Sequence, residues 1–287
     1  MDTKSQATTD WLIQKFPNLQ NIQPLSRGGQ KQVFSAVHPY EGNVVLKLMH
    51  LDANIGHTMR EILAVAQIQS PRVPKILDHG EVETPLGNCF WFREQYILGC
   101  TLREKLAHGP FDIPSLLRLA LHVSETLVAA EKAHIVHRDV KPDNIILDQI
   151  GDFWLIDFGL ARHLGLESLT ATANFFGKQT WGYAPLEQCR NFKQEIDARA
   201  DLFALGVTLY ECATGINPFR AEARDELEIF RRVEKGNFPR LELSFPSAND
   251  FSDLVASLTQ RQRTHRPENA SEAYEWIKQI CDKEGVQ

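Results

Sequence analysis

Hydrophobic and polar residues alternate in short runs along the first third of the chain, a pattern typical of β-strands. Five such runs cover residues 22–26, 32–38, 43–49, 75–82 and 89–97. Turn-forming sequences with glycine separate them at 27–29, 40–43 and 84–88. We therefore expect a small antiparallel sheet of five strands, interrupted by one helical stretch at 58–69.

The rest of the chain changes to a helical period. Leu116, Leu119, Val123 and Leu127 repeat at helical spacing in a stretch at 115–134 that Pro114 opens. Residues 201–214 are apolar almost all round, which predicts a buried helix. Further helices are expected at 225–235, 250–260 and 270–281. A β-rich part followed by an α-rich part predicts an α+β fold with two lobes and a boundary near 95–101.

Composition narrows the class of protein. The 287 residues are 43% hydrophobic and 24% charged, as in an ordinary globular chain. Because no uninterrupted run of about 18 apolar residues occurs, we expect no membrane span, and the polar residues 1–10 do not form a signal peptide. Five scattered cysteines without a C-x-x-C pair favour reduced thiols and a cytoplasmic location.

The charge is distributed unevenly. The first 95 residues carry nine basic and nine acidic side chains, whereas residues 96–287 carry 22 basic and 28 acidic ones, so the whole net charge of −6 lies in the second part. An acidic chain does not favour nucleic-acid binding. We expect neither nucleic acid nor a membrane as a partner.

The strongest chemical signal is His-Arg-Asp-Val-Lys-Pro-Asp-Asn at 137–144, which follows the long predicted helix. Thirteen residues after Asn144, a short predicted strand leads into Asp-Phe-Gly at 157–159. Asn144 and Asp157 offer an amide and a carboxylate oxygen, ligands that suit Mg²⁺ completed by substrate phosphates. The octapeptide matches the protein-kinase loop H-R-D-x-K-P-x-N at all six specified positions, and Asp-Phe-Gly matches the metal motif of the family.

On these motifs the chain resembles a Hanks-type (eukaryotic-like) serine/threonine kinase domain, similar to small stand-alone bacterial members. The resemblance implies that Asp139 accepts the substrate hydroxyl proton and that Lys141 stabilises the transferred phosphoryl group. It also implies ATP as co-substrate, with Mg²⁺, or alternatively Mn²⁺, on Asn144 and Asp157.

The nucleotide site implied by the resemblance begins in the first lobe. Lys47, which ends the run Val-Val-Leu-Lys at 44–47, looks like the phosphate-binding lysine, and Glu61 looks like its carboxylate partner. The glycine-rich loop departs from G-x-G-x-x-G-x-V, because only the middle glycine stays in register. Gly28 is that glycine, Ser26 and Lys31 replace the outer two, and Gly29 is extra. Ser26, Gly28, Gly29 and Val33 are the candidate nucleotide-binding residues of this loop.

The hinge that would hold adenine aligns with residues 95–102, so that the backbone of Gln95 and Ile97 would bind the base. A shift of one residue would place Glu94 at the hinge instead. Glu94 stands where the family has an apolar residue, and a buried carboxylate there would need a partner. Val45 and Ile146 would pack against adenine.

Further positions resemble the structural and regulatory residues of the family. Thr180 would lie beside Lys141, and Asp201 would anchor the backbone of the catalytic loop. Glu187 would pair with Arg266, a pair that is costly to break if buried. Arg138 is typical of kinases that phosphorylation activates, which makes Thr170 and Thr172 candidate phosphorylation sites.

The resemblance covers about residues 20–282. It implies the bilobal protein-kinase fold, with an N-terminal extension at 1–20, an N-lobe at 21–95 and a C-lobe at 96–287. The implied reaction is transfer of the ATP γ-phosphoryl group to Ser or Thr hydroxyls of a protein substrate, with autophosphorylation through a transient dimer. Two alternatives stay open: a pseudokinase that binds nucleotide without catalysis, and a small-molecule kinase of the aminoglycoside or choline type.

Overall fold

The computed structural model describes residues 9–27, 31–50, 64–84, 87–158 and 180–287. These residues form two compact units, which are taken in turn. The first contains the described residues up to Ala66 together with 74–84 and 87–97; the second contains 67–73, 98–158 and 180–287. A β-rich first unit and a helical second unit confirm the predicted α+β class.

The first unit is a five-stranded antiparallel sheet with one helix against it. Its strand order is β1-β2-β3-β5-β4. The elements are α1 (Thr9–Lys15), β1 (Gln20–Arg27), β2 (Lys31–His38), β3 (Gly42–His50), β4 (Ile76–Thr84) and β5 (Gly87–Gln95). The strand predicted at 89–97 ends two residues earlier, at Gln95. Of the helix predicted at 58–69, residues 64–65 are helical and 58–63 lie outside the described residues.

The two faces of this sheet carry different sets of residues, because successive side chains of a strand point to opposite faces. On one face, Phe34 of β2 and Leu46 of β3 join a buried cluster with Leu12 of α1 and Phe16 just beyond it. The ring of Phe16 meets that of Trp91 edge to face, with 5.2 Å between the ring centroids. The opposite face carries the odd-numbered residues of β2 and β3, including Lys47.

Helix α1 is therefore part of the core of the first unit. We expect Leu12→Ala to lower the free energy of unfolding by about 2–3 kcal/mol, the lower part of the usual range for buried leucine because a terminal helix can shift toward the cavity. Urea denaturation measures the change. Ile13→Ala is the matched control, since Ile13 is 51% exposed, and an equal loss in both variants would contradict the packing of α1.

The second unit is built from helices around a small sheet. It contains β6 (Gly99–Thr101), α2 (Leu102–Leu106), α3 (Ile113–Lys132), β7 (Ile145–Asp148), β8 (Phe153–Leu155), α4 (Leu186–Cys189), α5 (Ala198–Thr214), α6 (Glu226–Lys235), α7 (Ala248–Leu258) and α8 (Ala270–Glu284). Strands β6, β7 and β8 pair in that order. The helices predicted from periodicity all occur, with ends shifted by up to three residues.

Helices α3 and α5 form the centre of this unit. Asp112 caps α3 by accepting a hydrogen bond from the Ser115 amide at 2.8 Å. Helix α5 is capped at its C-terminal end by Gly215, whose φ of 78° favours glycine. Among the described residues, α3 alone is long and apolar enough to span a membrane, but 56% of that window is buried inside the structure. Because α3 packs against α5, α8 and β8, it is a core helix of this unit.

Candidate active site

The predicted catalytic loop connects α3 to β7, and its central carboxylate collects three side-chain donors. Lys141 Nζ lies 2.8 Å from Asp139 Oδ2, and Asn144 Nδ2 lies 2.9 Å from the same oxygen. The Thr180 hydroxyl donates to Asp139 Oδ1 at 2.7 Å and accepts from Lys141 Nζ at 2.7 Å. The structure thus brings together four of the residues predicted from the motifs, around one carboxylate.

His137 joins this loop to the segment before Asp157. Its Nε2 lies 2.8 Å from the Ile156 carbonyl, and its Nδ1 lies 3.2 Å from the Asp139 amide nitrogen. Because Nδ1 accepts from an N–H, the proton belongs on Nε2. Complete burial lowers the pKa of His137, which keeps the imidazole neutral in this arrangement.

Asp201, near the start of α5, holds the loop backbone. Its two carboxylate oxygens accept hydrogen bonds from the backbone amides of His137 and Arg138, each at 2.7 Å. Burial raises the pKa of Asp201 to about 7, although the two amides act in the opposite direction. Arg138 has a φ of 65°, a conformation that a non-glycine residue seldom adopts, and these contacts hold it in place.

We expect Asp201→Asn to lower the free energy of unfolding by about 1–3 kcal/mol, because the new amide group turns a donor toward a buried backbone N–H.

The raised pKa of Asp201 also predicts that the free energy of unfolding depends on pH. Folding favours the protonated Asp201 carboxyl, so its stabilising contribution is full below about pH 4 and is lost as pH rises to about 7. Urea denaturation of wild type and Asp201→Asn from pH 4 to pH 8 measures this dependence. The difference between their free energies of unfolding should become smaller as the pH rises, and a difference that stays constant would contradict the prediction.

Asn144 and Asp157 are fixed relative to one another by the backbone. The Ile156 amide donates to the Asn144 carbonyl at 2.9 Å, directly before Asp157, whose φ is 63°. Within the described ranges no group of three or more His, Cys, Asp or Glu residues is placed to hold a metal ion. One amide and one carboxylate oxygen fit a hard divalent ion that takes its remaining ligands from phosphate and water.

Glu187 and Arg266 form the buried pair that the sequence predicts. Arg266 Nη1 lies 2.6 Å from Glu187 Oε1, and Nη2 lies 3.3 Å from Oε2. The Arg266 side chain is 0% exposed and the Glu187 side chain is 5% exposed. Next to Glu187, Gln188 donates to the Arg138 carbonyl at 2.8 Å, so α4 is tied to the catalytic loop.

A second side-chain network in this unit, buried at Tyr183 and Glu211 and open to solvent at Asp143, was not predicted from the sequence. Arg103 of α2 donates to Glu211 of α5 at 2.6 Å and to Asp143 of the catalytic loop at 3.2 Å. Tyr183 donates to Glu211 through a short hydrogen bond. Burial and the neighbouring Glu211 carboxylate raise the pKa of Tyr183. The sequence signal for α2 was present as a capping box, in which Thr101 and Glu104 cap each other's backbone amides.

In the first unit, Lys47 is paired with Glu94. Lys47 Nζ forms a short ion pair with Glu94 Oε1, and the side chains are 4% and 12% exposed. Lys47 also lies over the ring of Phe92, 5.5 Å from its centroid. The carboxylate before the hinge therefore has the partner that a buried charge requires.

The predicted adenine contacts lie in both units. Val33 is opposite Lys47 and Val45 is opposite Glu94 in the strand register, and both valines are buried. The Gln95 amide donates to the Lys75 carbonyl at 2.9 Å. Ile146 lies on β7 in the second unit. The assignment of the hinge to Gln95 and Ile97 stays a prediction.

Gly28, Gly29, Glu61, Thr170 and Thr172 lie outside the described residues. Ser26 belongs to β1.

The family model described as protein kinase domain matches residues 19–283. The chain belongs to the protein kinase domain family. It is 29% identical over 273 residues to the probable serine/threonine-protein kinase pknA2 of Bifidobacterium longum, covering 91% of this chain and 35% of that protein. It is 27% identical over 271 residues to the serine/threonine-protein kinase PrkC of Bacillus subtilis, covering 92% and 40%. It is also 33% identical over 210 residues to the serine/threonine-protein kinase PknH of Mycobacterium tuberculosis, covering 71% and 32%.

The chain thus spans about a third of the length of these curated relatives. Membership of the family confirms the resemblance to Hanks-type kinase domains, and a kinase domain uses ATP and a divalent metal ion. Two features set this kinase domain apart from the family pattern: the incomplete glycine-rich loop sequence, and the carboxylate of Glu94 where the family has an apolar side chain.

Proposed function

We propose that this kinase domain transfers the γ-phosphoryl group of ATP to Ser and Thr hydroxyl groups of proteins. The observation that carries the proposal is the placement of Asp139, Lys141 and Thr180 within hydrogen-bonding distance of one another. An acceptor hydroxyl would replace part of this network. A carboxylate that receives its proton and an ammonium group that faces the phosphoryl oxygens are the groups this transfer needs.

In this reaction the acceptor oxygen forms a bond to the γ-phosphorus while the bond from that phosphorus to the ADP oxygen breaks. Asp139 orients the hydroxyl and takes its proton. Lys141 stabilises the charge on the phosphoryl oxygens, and Lys47 positions the other phosphates of the nucleotide. Asn144 and Asp157 would hold Mg²⁺, with Mn²⁺ as the alternative. When bound, the metal ion neutralises phosphate charge.

The proposal extends to partners and location. The substrates are proteins with exposed Ser or Thr, and the domain phosphorylates itself in a transient dimer, at Thr170 or Thr172. Arg138 supports this, since an arginine next to the catalytic carboxylate can pair with a phosphate. We further propose that the domain acts in the cytoplasm, without nucleic acid or membrane partners, as the scattered cysteines and the acidic charge suggest.

The proposal is tested by incubating the purified chain with radiolabelled ATP and a basic acceptor protein, in Mg²⁺, in Mn²⁺ and in excess chelator. We expect phosphoserine and phosphothreonine after acid hydrolysis in Mg²⁺ and none with the chelator. Label on phosphotyrosine alone would refute the substrate class, and no label in either metal would refute the activity.

Nucleotide binding without transfer is the second candidate function. It is favoured by the departure of residues 26–31 from the glycine-rich pattern and by the presence of Glu94 at a position where the family has an apolar residue. ATP binding by calorimetry in a preparation that incorporates no phosphate would support it.

A further inference from the structure

The ion pair between Lys47 and Glu94 lies on one face of the sheet of the first unit. In the antiparallel pairing of β3 and β5, Lys47 is opposite Phe92 and Val45 is opposite Glu94. Residues directly opposite each other share a face, and so do residues two apart along a strand. Lys47 and Glu94 are therefore diagonal neighbours on the same face, within reach of long side chains. The register of two rigid strands sets this contact.

Burial makes the contact energetically significant. Both side chains are almost fully removed from water, at 4% and 12% exposure, and a buried charge is tolerated only with a partner of opposite sign. Phe92 covers part of the ammonium group and limits the directions that the Lys47 chain can take. Glu94 and Phe92 therefore both restrict where the ammonium group lies.

An ammonium group has three N–H donors in a tetrahedral arrangement. The short contact with Glu94 Oε1 uses one of them. One carboxylate contact does not use the whole donor capacity of an ammonium group, so Lys47 can share its donors between Glu94 and a phosphate oxygen. The pair thus supports the orientation of Lys47 and does not prevent phosphate binding.

We propose that Glu94 is a positioning residue that holds Lys47 in place for the phosphates of the nucleotide. The role resembles the one that the family resemblance gives to Glu61, which lies outside the described residues; Glu94 would perform it from β5. The inference rests on the proposed function for its kinetic consequence, while the ion pair itself can be measured without catalysis. It assigns a chemical reason to an acidic residue at a position where the family has an apolar one.

The test compares wild type with Glu94→Gln, Glu94→Asp and Lys47→Met, together with the double variant of Lys47→Met and Glu94→Gln. For Glu94→Gln we expect kcat with saturating ATP to fall by about 10- to 100-fold, because a misplacement of about 1 Å is enough for such a loss. The KM for ATP should change less than about threefold, since the nucleotide is held by many other contacts. Glu94→Asp should recover part of the lost rate. In the Lys47→Met background, Glu94→Gln should cause no further loss, because the residue it positions is absent.

Two controls separate this role from a purely structural one. Asp78→Asn removes an acidic partner from another pair in the same sheet, Arg93–Asp78 at 3.2 Å, where Asp78 is 52% exposed; its kcat should stay within about twofold of wild type. The side-chain NMR resonance of Lys47, assigned by its loss in Lys47→Met, should shift in Glu94→Gln and not in Asp78→Asn.

Four outcomes decide the matter. The rate pattern above together with the shifted resonance supports the proposal. A rise in kcat or kcat/KM in Glu94→Gln would overturn it, since Glu94 would then compete with the phosphates for Lys47. The proposal would also be overturned if Glu94→Gln lowered kcat by the same factor in wild type and in the Lys47→Met background. If wild type transfers no phosphate, the proposed function fails. The positioning role is then tested by the affinity for ATP and by the Lys47 resonance. If Glu94→Gln changes neither of them, the positioning role is overturned.

Discussion

Replacing Asp139 by asparagine is expected to lower the rate of phosphoryl transfer by about 10²- to 10⁴-fold. The amide cannot accept the hydroxyl proton. The amide of the variant also places an NH₂ group where a carboxylate oxygen now accepts hydrogen bonds. That group would face either Lys141 and Asn144, which donate to Oδ2, or Thr180, which donates to Oδ1. Incorporation of label from radiolabelled ATP into an acceptor protein measures the effect.

The control for this prediction is Asp253→Asn, since Asp253 is 54% exposed and pairs only at the surface with Arg240. We expect its rate to equal that of wild type. Both variants should bind ATP with wild-type affinity in calorimetry, because Asp139 acts on the acceptor. Full activity of Asp139→Asn would show that the proton goes elsewhere.

Replacing Arg266 by alanine is expected to lower the free energy of unfolding by about 3–5 kcal/mol, the usual effect of removing one partner of a buried ion pair. The loss leaves the Glu187 carboxylate buried and unpaired. It also removes donors from the carbonyls of Gln260 and Arg199, at 2.8 and 3.0 Å, and the stacking of the guanidinium on Phe203. Chemical denaturation measures the change.

Two further variants make the second prediction specific. Lys283→Ala breaks an exposed pair with Asp250 in the same unit, and should cost less than about 1 kcal/mol. Replacing both partners, Glu187→Leu with Arg266→Met, should recover part of the stability, because no unpaired charge then remains. If Arg266→Ala and Lys283→Ala had equal effects, burial of the pair would have no energetic consequence.

Local sequence patterns were sufficient for much of the fold and for one half of the candidate site. The spacing of Leu116, Leu119, Val123 and Leu127 predicted α3, and all four are buried. The octapeptide at 137–144 predicted the loop in which Asp139, Lys141 and Asn144 meet, because residues so close in sequence are brought together by a short turn. The pairing of Glu187 with Arg266 came from the family pattern, since spacing alone does not relate residues 79 positions apart.

What the sequence did not reveal depends on register and packing. The sequence marked Glu94 as a carboxylate in need of a partner, but only the alignment of β3 with β5 identifies Lys47. Arg103, Asp143 and Glu211 come from three separate elements, and none carries a local signal for the others. Helix α1 was missed as well, although Leu12 and Phe16 are spaced as on one helical face, because the segment is shorter than the helices that periodicity identifies well.

The division of the N-terminal sheet into two faces also limits how β3 can vary in length. Even-numbered residues of this strand face α1 and odd-numbered ones face Glu94. Inserting or deleting a single residue between Val44 and Lys47 would exchange the faces for every later residue of β3. Lys47 would then point into the apolar cluster around Phe34, and Leu46 or Leu48 would face Glu94. We expect natural length variation in this lobe to be confined to the connections between strands, such as the turn at 39–41.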